Sequence, residues 1–272
     1  MRPPLSKDTR LCLSLSGRPG TFGTRFHNHL YDALGLDYVY KAFTTTDLPA
    51  AIGGVRALGI RGCAVSMPFK EDVIELVDEL DPSAAVIDSV NTIVNDDGRL
   101  SAYNTDFIAV ATLLREHGVP TDAPVLLRGS GGMAKAVAFA LREGGFGRGT
   151  VVARNEATGR PLAEGAGFGW AAEPPATDGA VLVNATPIGM SGGPESDDLP
   201  FPAATVDAAA TVFDVVASPS ETPLVRRARA AGVPVVTGAE VVALQAVEQF
   251  VLYTGVRPTD EQVAAAAAHA AG

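Results

Sequence analysis

The clearest place for chemistry in this sequence is Val125-Leu-Leu-Arg-Gly129-Ser130-Gly131-Gly132-Met133-Ala134, where an apolar run breaks at glycines and resumes as an alanine-rich segment. A strand turning tightly into a helix reads this way, and such a turn binds phosphate. Gly129 permits the bend, Gly131 lets a pyrophosphate approach the backbone, and Ala134 allows close packing of helix on strand. The unpaired N–H groups of the helix start then face the anion. Three further groups could meet a ligand. Ser14 and Ser16 lie two apart in Arg10-Leu-Cys-Leu-Ser14-Leu-Ser16, so a strand would point both hydroxyls the same way, whether toward a ligand or toward solvent. Ser66 and Lys70 follow the apolar run Gly62 to Val65, although a lone lysine after a strand is more often a solvated charge. Asn91 and Asp106 stand at corresponding ends of two short strands joined by the turn signal Asn95-Asp-Asp-Gly98, and could face one cleft.

These groups need an alternating scaffold of strands and helices. Arg10 to Ser16, Tyr38 to Phe43 and Gly62 to Val65 read as strands. Phe26 to Leu34 and the Asp47-capped segment beginning Asp47-Leu-Pro49 read as helices between them, and Glu71 to Leu80 as a third helix. The alternation implies a largely parallel sheet, whose ligands bind outside the carboxyl ends of the strands. Asn104-Thr-Asp106 also caps a helix from Phe107 to His117, and the chain crosses to a second domain there. Beyond it, Gly149 to Ala153, Ala180 to Val183, Thr211 to Val216 and Val233 to Val236 are buried-strand runs of a doubly wound sheet. Arg154 ends the second of that domain's strands about where an adenosine ribose lies. Ser191 to Pro202 reads as a mobile surface loop, Val241 to Tyr253 as a long apolar helix bearing Gln245, and an alanine-rich helix follows from Asp260. The expected fold is α/β with two domains, a parallel-sheet one before the crossover and a Rossmann-type cofactor domain after it.

Composition narrows the partners. A formal net charge of −10 argues against a nucleic-acid surface. The first residues lack an apolar signal core and no apolar run approaches a membrane span, so a cytoplasmic protein is expected. The two cysteines, Cys12 and Cys63, sit in apolar runs and read as buried reduced thiols. His27 and His29 lack a third ligand and read as surface histidines, with no metal site.

Taken together, Ser14-Leu-Ser16, Val65-Ser66-Met-Pro68-Phe-Lys70, Val90-Asn91-Thr-Ile, Asn104-Thr-Asp106, the Gly129 turn, Asn184-Ala-Thr186-Pro-Ile-Gly189-Met190 and Gln245 resemble the shikimate dehydrogenase family, in order and spacing, over nearly the whole chain. The pattern is closest to its shikimate dehydrogenase-like branch. The resemblance implies two α/β domains around a cleft, with the C-terminal helices returning to the first: a substrate domain over residues 1–107 and 242–272 and an NADP-binding Rossmann domain over 108–241. It also implies NADP-dependent interconversion of a carboxylated cyclic alcohol and its ketone, in a monomer or homodimer. It implies Lys70 and Asp106 as the catalytic pair, with Ser14 and Ser16 on the substrate carboxylate and Ser66, Asn91 and Gln245 on ring hydroxyls. Gly129, Ser130, Gly131, Gly132, Met133, Arg154, Thr186, Val215 and Gly238 would hold the dinucleotide. Arg154 favours a 2′-phosphate, and Glu156 beside it moderates that preference.

Hydride transfer at an alcohol carbon needs an acid or base within reach of the oxygen, and Lys70 is suited to the task. Its ammonium would protonate a ketone oxygen on reduction, and alcohol oxidation should quicken as pH rises. Some positions depart from the family pattern. Ala64 stands for an asparagine, Ala217 for a tyrosine that reaches the carboxylate and Ala109 for a glycine, and the Gly17 to Gly23 loop is longer and richer in glycine. Weak activity on shikimate is therefore expected. The alternatives are a different substrate such as quinate, or a non-catalytic ligand sensor on the same fold.

Overall fold

A computed structural model of the chain describes residues 2–271. In chain order the first elements are β1 (Arg10–Leu15), α1 (Phe22–Leu34), β2 (Tyr38–Phe43), α2 (Leu48–Ala57) and β3 (Gly62–Val65). After a 3₁₀ turn (Asp72–Leu76) come β4 (Glu79–Leu80), α3 (Pro82–Ala85), β5 (Thr92–Asp96), β6 (Arg99–Tyr103) and α4 (Thr105–Glu116). The chain continues with β7 (Val125–Arg128), α5 (Gly132–Glu143), β8 (Gly149–Val152), α6 (Glu156–Ala166), β9 (Gly169–Ala171) and β10 (Val181–Asn184). It ends with α7 (Ala203–Asp207), β11 (Thr211–Asp214), α8 (Pro223–Ala230), β12 (Val235–Val236), α9 (Gly238–Thr254) and α10 (Asp260–Ala271). The chain divides into two compact units, Met1–Thr105 with Ala243–Gly272, and Asp106–Val242. No helix among the described residues is long and apolar enough to cross a membrane.

The first unit holds a six-stranded mixed sheet in the order β2-β1-β3-β5-β6-β4. β1 pairs in parallel with both β2 and β3, while β5 runs antiparallel to β3 and to β6. Alternation along β1 sends Cys12 into one buried cluster and Leu13 and Leu15 into another, so the sheet is covered on both faces. The first cluster packs Phe26, Leu30 and Tyr31 of α1 against Phe250 and Tyr253 of α9, with Ala266 of α10. The spacing of the α1 residues is that of one helix face. Gly35 closes α1 in the left-handed conformation at φ 65, and the Asp47 side chain caps α2 by accepting from Ala50 N.

Two expectations fail in this unit. The segment from Glu71 to Leu80 is not one helix: it is the 3₁₀ turn followed by the edge strand β4. Asp78 causes the switch, since its Oδ2 accepts from Leu100 N at 2.7 Å and from Arg56 Nη1 at 2.6 Å, and its own N–H bonds Leu100 O. That pins the chain to β6 before a second helical turn can form. His27 is not a surface residue. It is fully buried, stacked on Tyr40 with ring centroids 4.4 Å apart, because α1 places it beside Phe26 on the face that enters the core.

The second unit holds an all-parallel sheet in the order β12-β11-β10-β7-β8-β9. Its central strands β10 and β11 are buried at every residue, as expected of a sheet covered by helices on both sides. Chain order reverses between β7 and β10, the position where doubly wound sheets open a ligand crevice. Cys12 and Cys63 are both buried free thiols of the first unit.

Candidate active site

In the first unit the substrate residues of the sequence reading gather at one sheet edge. β1 and β3 run side by side with Ser14 opposite Ala64 and Leu15 opposite Val65. Pairing continues past the strand ends, with Ser66 N donating to Leu15 O and Gly17 N to Met67 O, each at 2.9 Å. Ser14, Ser16 and Ser66 thus stand at adjacent carboxyl ends. Because β5 is antiparallel, it brings its amino end to the same place, and Val65 N bonds Asn91 O at 2.8 Å. Val90 N bonds Lys70 O, also at 2.8 Å, which fixes the backbone at Lys70 beside Asn91.

Asn91 is buried, and its amide is held one way round. Its Oδ1 accepts from Thr105 N at 2.8 Å, Thr92 Oγ1 at 2.8 Å and Thr105 Oγ1 at 3.2 Å. These bonds leave Nδ2 as the end able to donate elsewhere. The Thr105 hydroxyl also reaches Gln245 Oε1 at 3.4 Å. One helical turn after Gln245, Gln249 donates to Thr92 Oγ1 at 3.0 Å and to Asn91 O at 3.3 Å. Asp106, buried in the first turn of α4, follows the Thr105 that Asn91 clamps. Ala64 lies in the apolar cluster beneath this edge and brings no polar group.

In the second unit the glycine turn has the form expected of a phosphate cradle. Gly129 adopts φ +124, and a Cβ there would come within 2.7 Å of Ala185 O, so only glycine fits. A Cβ at Gly131 or Gly132, by contrast, would meet nothing within 4 Å. The start of α5 therefore faces open space, with Met133 half-buried behind it. Ser130 Oγ bonds Thr158 Oγ1 at 2.8 Å. A cavity of about 240 Å³ opens here, lined by Gly129, Ser130, Arg154, Asn155, Thr186 and Glu195 among others. These residues suit a dinucleotide: a glycine turn for pyrophosphate and an arginine at the ribose end.

Buried polar groups shape the far wall. Asn184 Oδ1 accepts from Thr186 Oγ1 at 2.6 Å and Thr186 N at 3.1 Å, while its Nδ2 donates to Asp214 Oδ1 at 3.0 Å. Burial raises the Asp214 pKa; hydrogen bonds from Thr222, Val216 N and Asn184 oppose the shift. Val215 is half-buried, and a Cβ at Gly238 would lie 2.4 Å from the Val216 carbonyl carbon, so that glycine has a packing reason of its own. Two features escape the sequence reading. Glu156 turns to Arg160, one helical turn on, at 2.6 Å, and does not face Arg154; Glu195 does, at 3.9 Å. Arg128 also lines the cavity, its Nη1 donating to Pro200 O. A cation closing an apolar strand just before Gly129 was the one signal available for it.

Fold and site together define a two-unit α/β protein, one unit carrying a dinucleotide-type parallel sheet and the other a mixed sheet with polar residues at its strand ends. Residues 21–93 match the family described as the shikimate dehydrogenase substrate binding domain. A shikimate dehydrogenase-like protein of Haemophilus influenzae is 56% identical over 266 residues, covering 98% of each chain. Among solved structures, a shikimate 5-dehydrogenase-like protein is 55% identical with a TM-score of 0.96, over 99% of this chain and 100% of that one. Shikimate 5-dehydrogenase from Thermus thermophilus, solved with NADP(H) and shikimate, is 31% identical with a TM-score of 0.84, over 96% of this chain and 99% of that one. The chain belongs to the shikimate dehydrogenase family.

Proposed function

We propose that this chain is a cytoplasmic, NADP-dependent dehydrogenase that interconverts shikimate, or a related cyclic hydroxy acid, and its 3-dehydro ketone. NADP, when bound, carries the hydride. In this reading residues 1–107 and 242–272 bind substrate and residues 108–241 bind the dinucleotide through Gly129 to Met133, Arg154, Thr186, Val215 and Gly238. Lys70 moves the proton at the reacting oxygen and Asp106 orients it. Ser14 and Ser16 hold the carboxylate, while Ser66, Asn91 and Gln245 sort the ring hydroxyls.

The observation that carries the reading is the pair of ties at Val90 and Asn91. One strand end holds the backbone at Lys70 through Val90 N and clamps Thr105, the residue before Asp106, through Asn91 Oδ1. The backbone at Lys70 and the residue before Asp106 are thereby tied to two successive residues, which supports an amine and a carboxylate from separate stretches acting as one acid–base pair. The relative solved with NADP(H) and shikimate supports the choice of ligands.

Ala64, buried among apolar side chains, favours a substrate that asks for one polar anchor fewer, and shikimate should be turned over slowly. The test is absorbance of reduced nicotinamide with shikimate, quinate and other cyclic hydroxy acids. Lys70→Ala should cut turnover on the order of 10²–10⁴-fold while leaving the thermal melt in place. Unchanged turnover would remove Lys70 from the proton path, and cofactor binding without turnover of any acid would favour a sensor.

A further inference from the structure

The dinucleotide cavity holds a carboxylate that the reading just given does not use. Glu195 comes from the loop after β10, far in sequence from the glycine turn, yet its Oε1 stands 3.9 Å from Arg154 Nη1. The loop is anchored around it. Gly189 N and Asp198 N both donate to the Glu195 carbonyl, at 2.9 and 3.3 Å, and Arg128 Nη1 holds Pro200 O farther along. The side chain is thus presented to Arg154 by a backbone that does not depend on it. Glu156, the nearer acid in sequence, is committed to Arg160 through Nε at 3.0 Å and Nη2 at 2.6 Å.

An arginine at the ribose end of a dinucleotide site discriminates by pairing with the 2′-phosphate, which NAD lacks. A carboxylate this near the same guanidinium offsets part of its charge and repels an incoming dianion. NAD carries a neutral 2′-hydroxyl at that position, which neither competes for the guanidinium nor is repelled, and which can donate to a carboxylate. We propose that Glu195 is a specificity-determining residue: it competes with the 2′-phosphate for Arg154 and so holds down this protein's preference for NADP over NAD. The inference rests on the proposed dinucleotide site and adds to it the group that sets its selectivity.

Calorimetric titration of the full chain separates the possibilities, using NADP⁺, NAD⁺, adenosine 2′,5′-bisphosphate and 5′-AMP. The exposed setting of Arg154 keeps the pair weak, so Glu195→Gln should tighten NADP⁺ and the bisphosphate about two- to tenfold. NAD⁺ and 5′-AMP should not tighten, and the gain for the 2′-phosphorylated ligands should shrink in high salt. Glu195→Ala should move the same way, because the anchoring bonds use only backbone. Equal shifts for ligands with and without the 2′-phosphate, or none for either, would overturn the role of Glu195 while leaving the dinucleotide site standing. Failure of the natively folded protein to bind any of the four would remove the site and this inference with it.

Discussion

Asn91 shows how a residue's role depends on what holds it. Its side chain could serve a ligand as donor or acceptor, and three bonds to Oδ1 settle the matter in favour of the donor. Gln249 stands behind this arrangement, donating to both Thr92 Oγ1 and Asn91 O from a buried position. Gln249→Leu should therefore cost about 1–3 kcal/mol in denaturant unfolding, since it strips a buried donor from two acceptors. With Asn91 less firmly set, KM for the substrate should rise more than kcat falls, the mark of a bond made equally in ground and transition states. A variant with wild-type stability and KM would leave Gln249 no part in positioning. The sequence could single out Asn91 and Gln245 because they fall within motifs, whereas a second glutamine on an apolar helix carries no such flag. Glu195 was illegible for another reason: its partner Arg154 lies on a different loop, and only the sheet order brings the two loops together.

At the level of elements, α1 joins the edge of the sheet to its core and carries an unusual cost. His27 is enclosed by Phe26, Tyr31, Tyr40, Phe250 and Tyr253, and neither ring nitrogen has a hydrogen-bond partner among the described residues. Burial drops its pKa from 6.5 to about 3. The folded state thus refuses a proton that the unfolded chain takes up near pH 6.5. The corresponding stability is present above that pH and drains away as pH falls toward about 3. His27→Phe should flatten this loss. Unfolding free energies measured between pH 7 and 4 should diverge in favour of the variant as acid is added, and parallel curves would show that His27 is not the acid-sensitive group. The strands and capped helices of this unit were readable from alternation, Asp47 and the Asn95-Asp-Asp-Gly98 turn, which are local signals. The burial of His27 and the edge strand at Glu79–Leu80 were not, because each depends on a contact distant in sequence, with Phe250 and Tyr253 in one case and with Leu100 in the other.

For the molecule as a whole, the order of units along the chain matters as much as their content. The first unit is discontinuous: residues up to Thr105 are completed only by those from Ala243 onward. Among the described residues, six of the fourteen buried ones in its cluster around Cys12 come from beyond residue 242. Cys12 provides a direct probe, since burial pushes its thiol up to about 12, and Cys63 is raised by the same cause. Both should resist a thiol reagent at neutral pH in the full chain, because the thiolate is the reacting form. A chain ending at residue 242 should be labelled promptly at Cys12, whereas Cys63, in the cluster on the other face that draws on nothing beyond residue 102, should be labelled more slowly; undiminished protection of Cys12 would mean that the first sheet holds together without its last helices. Motif spacing led to an expectation of two α/β domains, and the family resemblance sent the C-terminal helices back to the first; which buried residues Phe250 and Tyr253 would meet there was not readable, because neither stands in a motif. Birth order follows from this arrangement. As the ribosome feeds the polypeptide out, residues 106–242 are all present to close their parallel sheet while the opening hundred residues, made earlier, still await the helices that complete them. The half synthesised first is the half that matures last, and for that interval its apolar face is the nascent molecule's exposed flank.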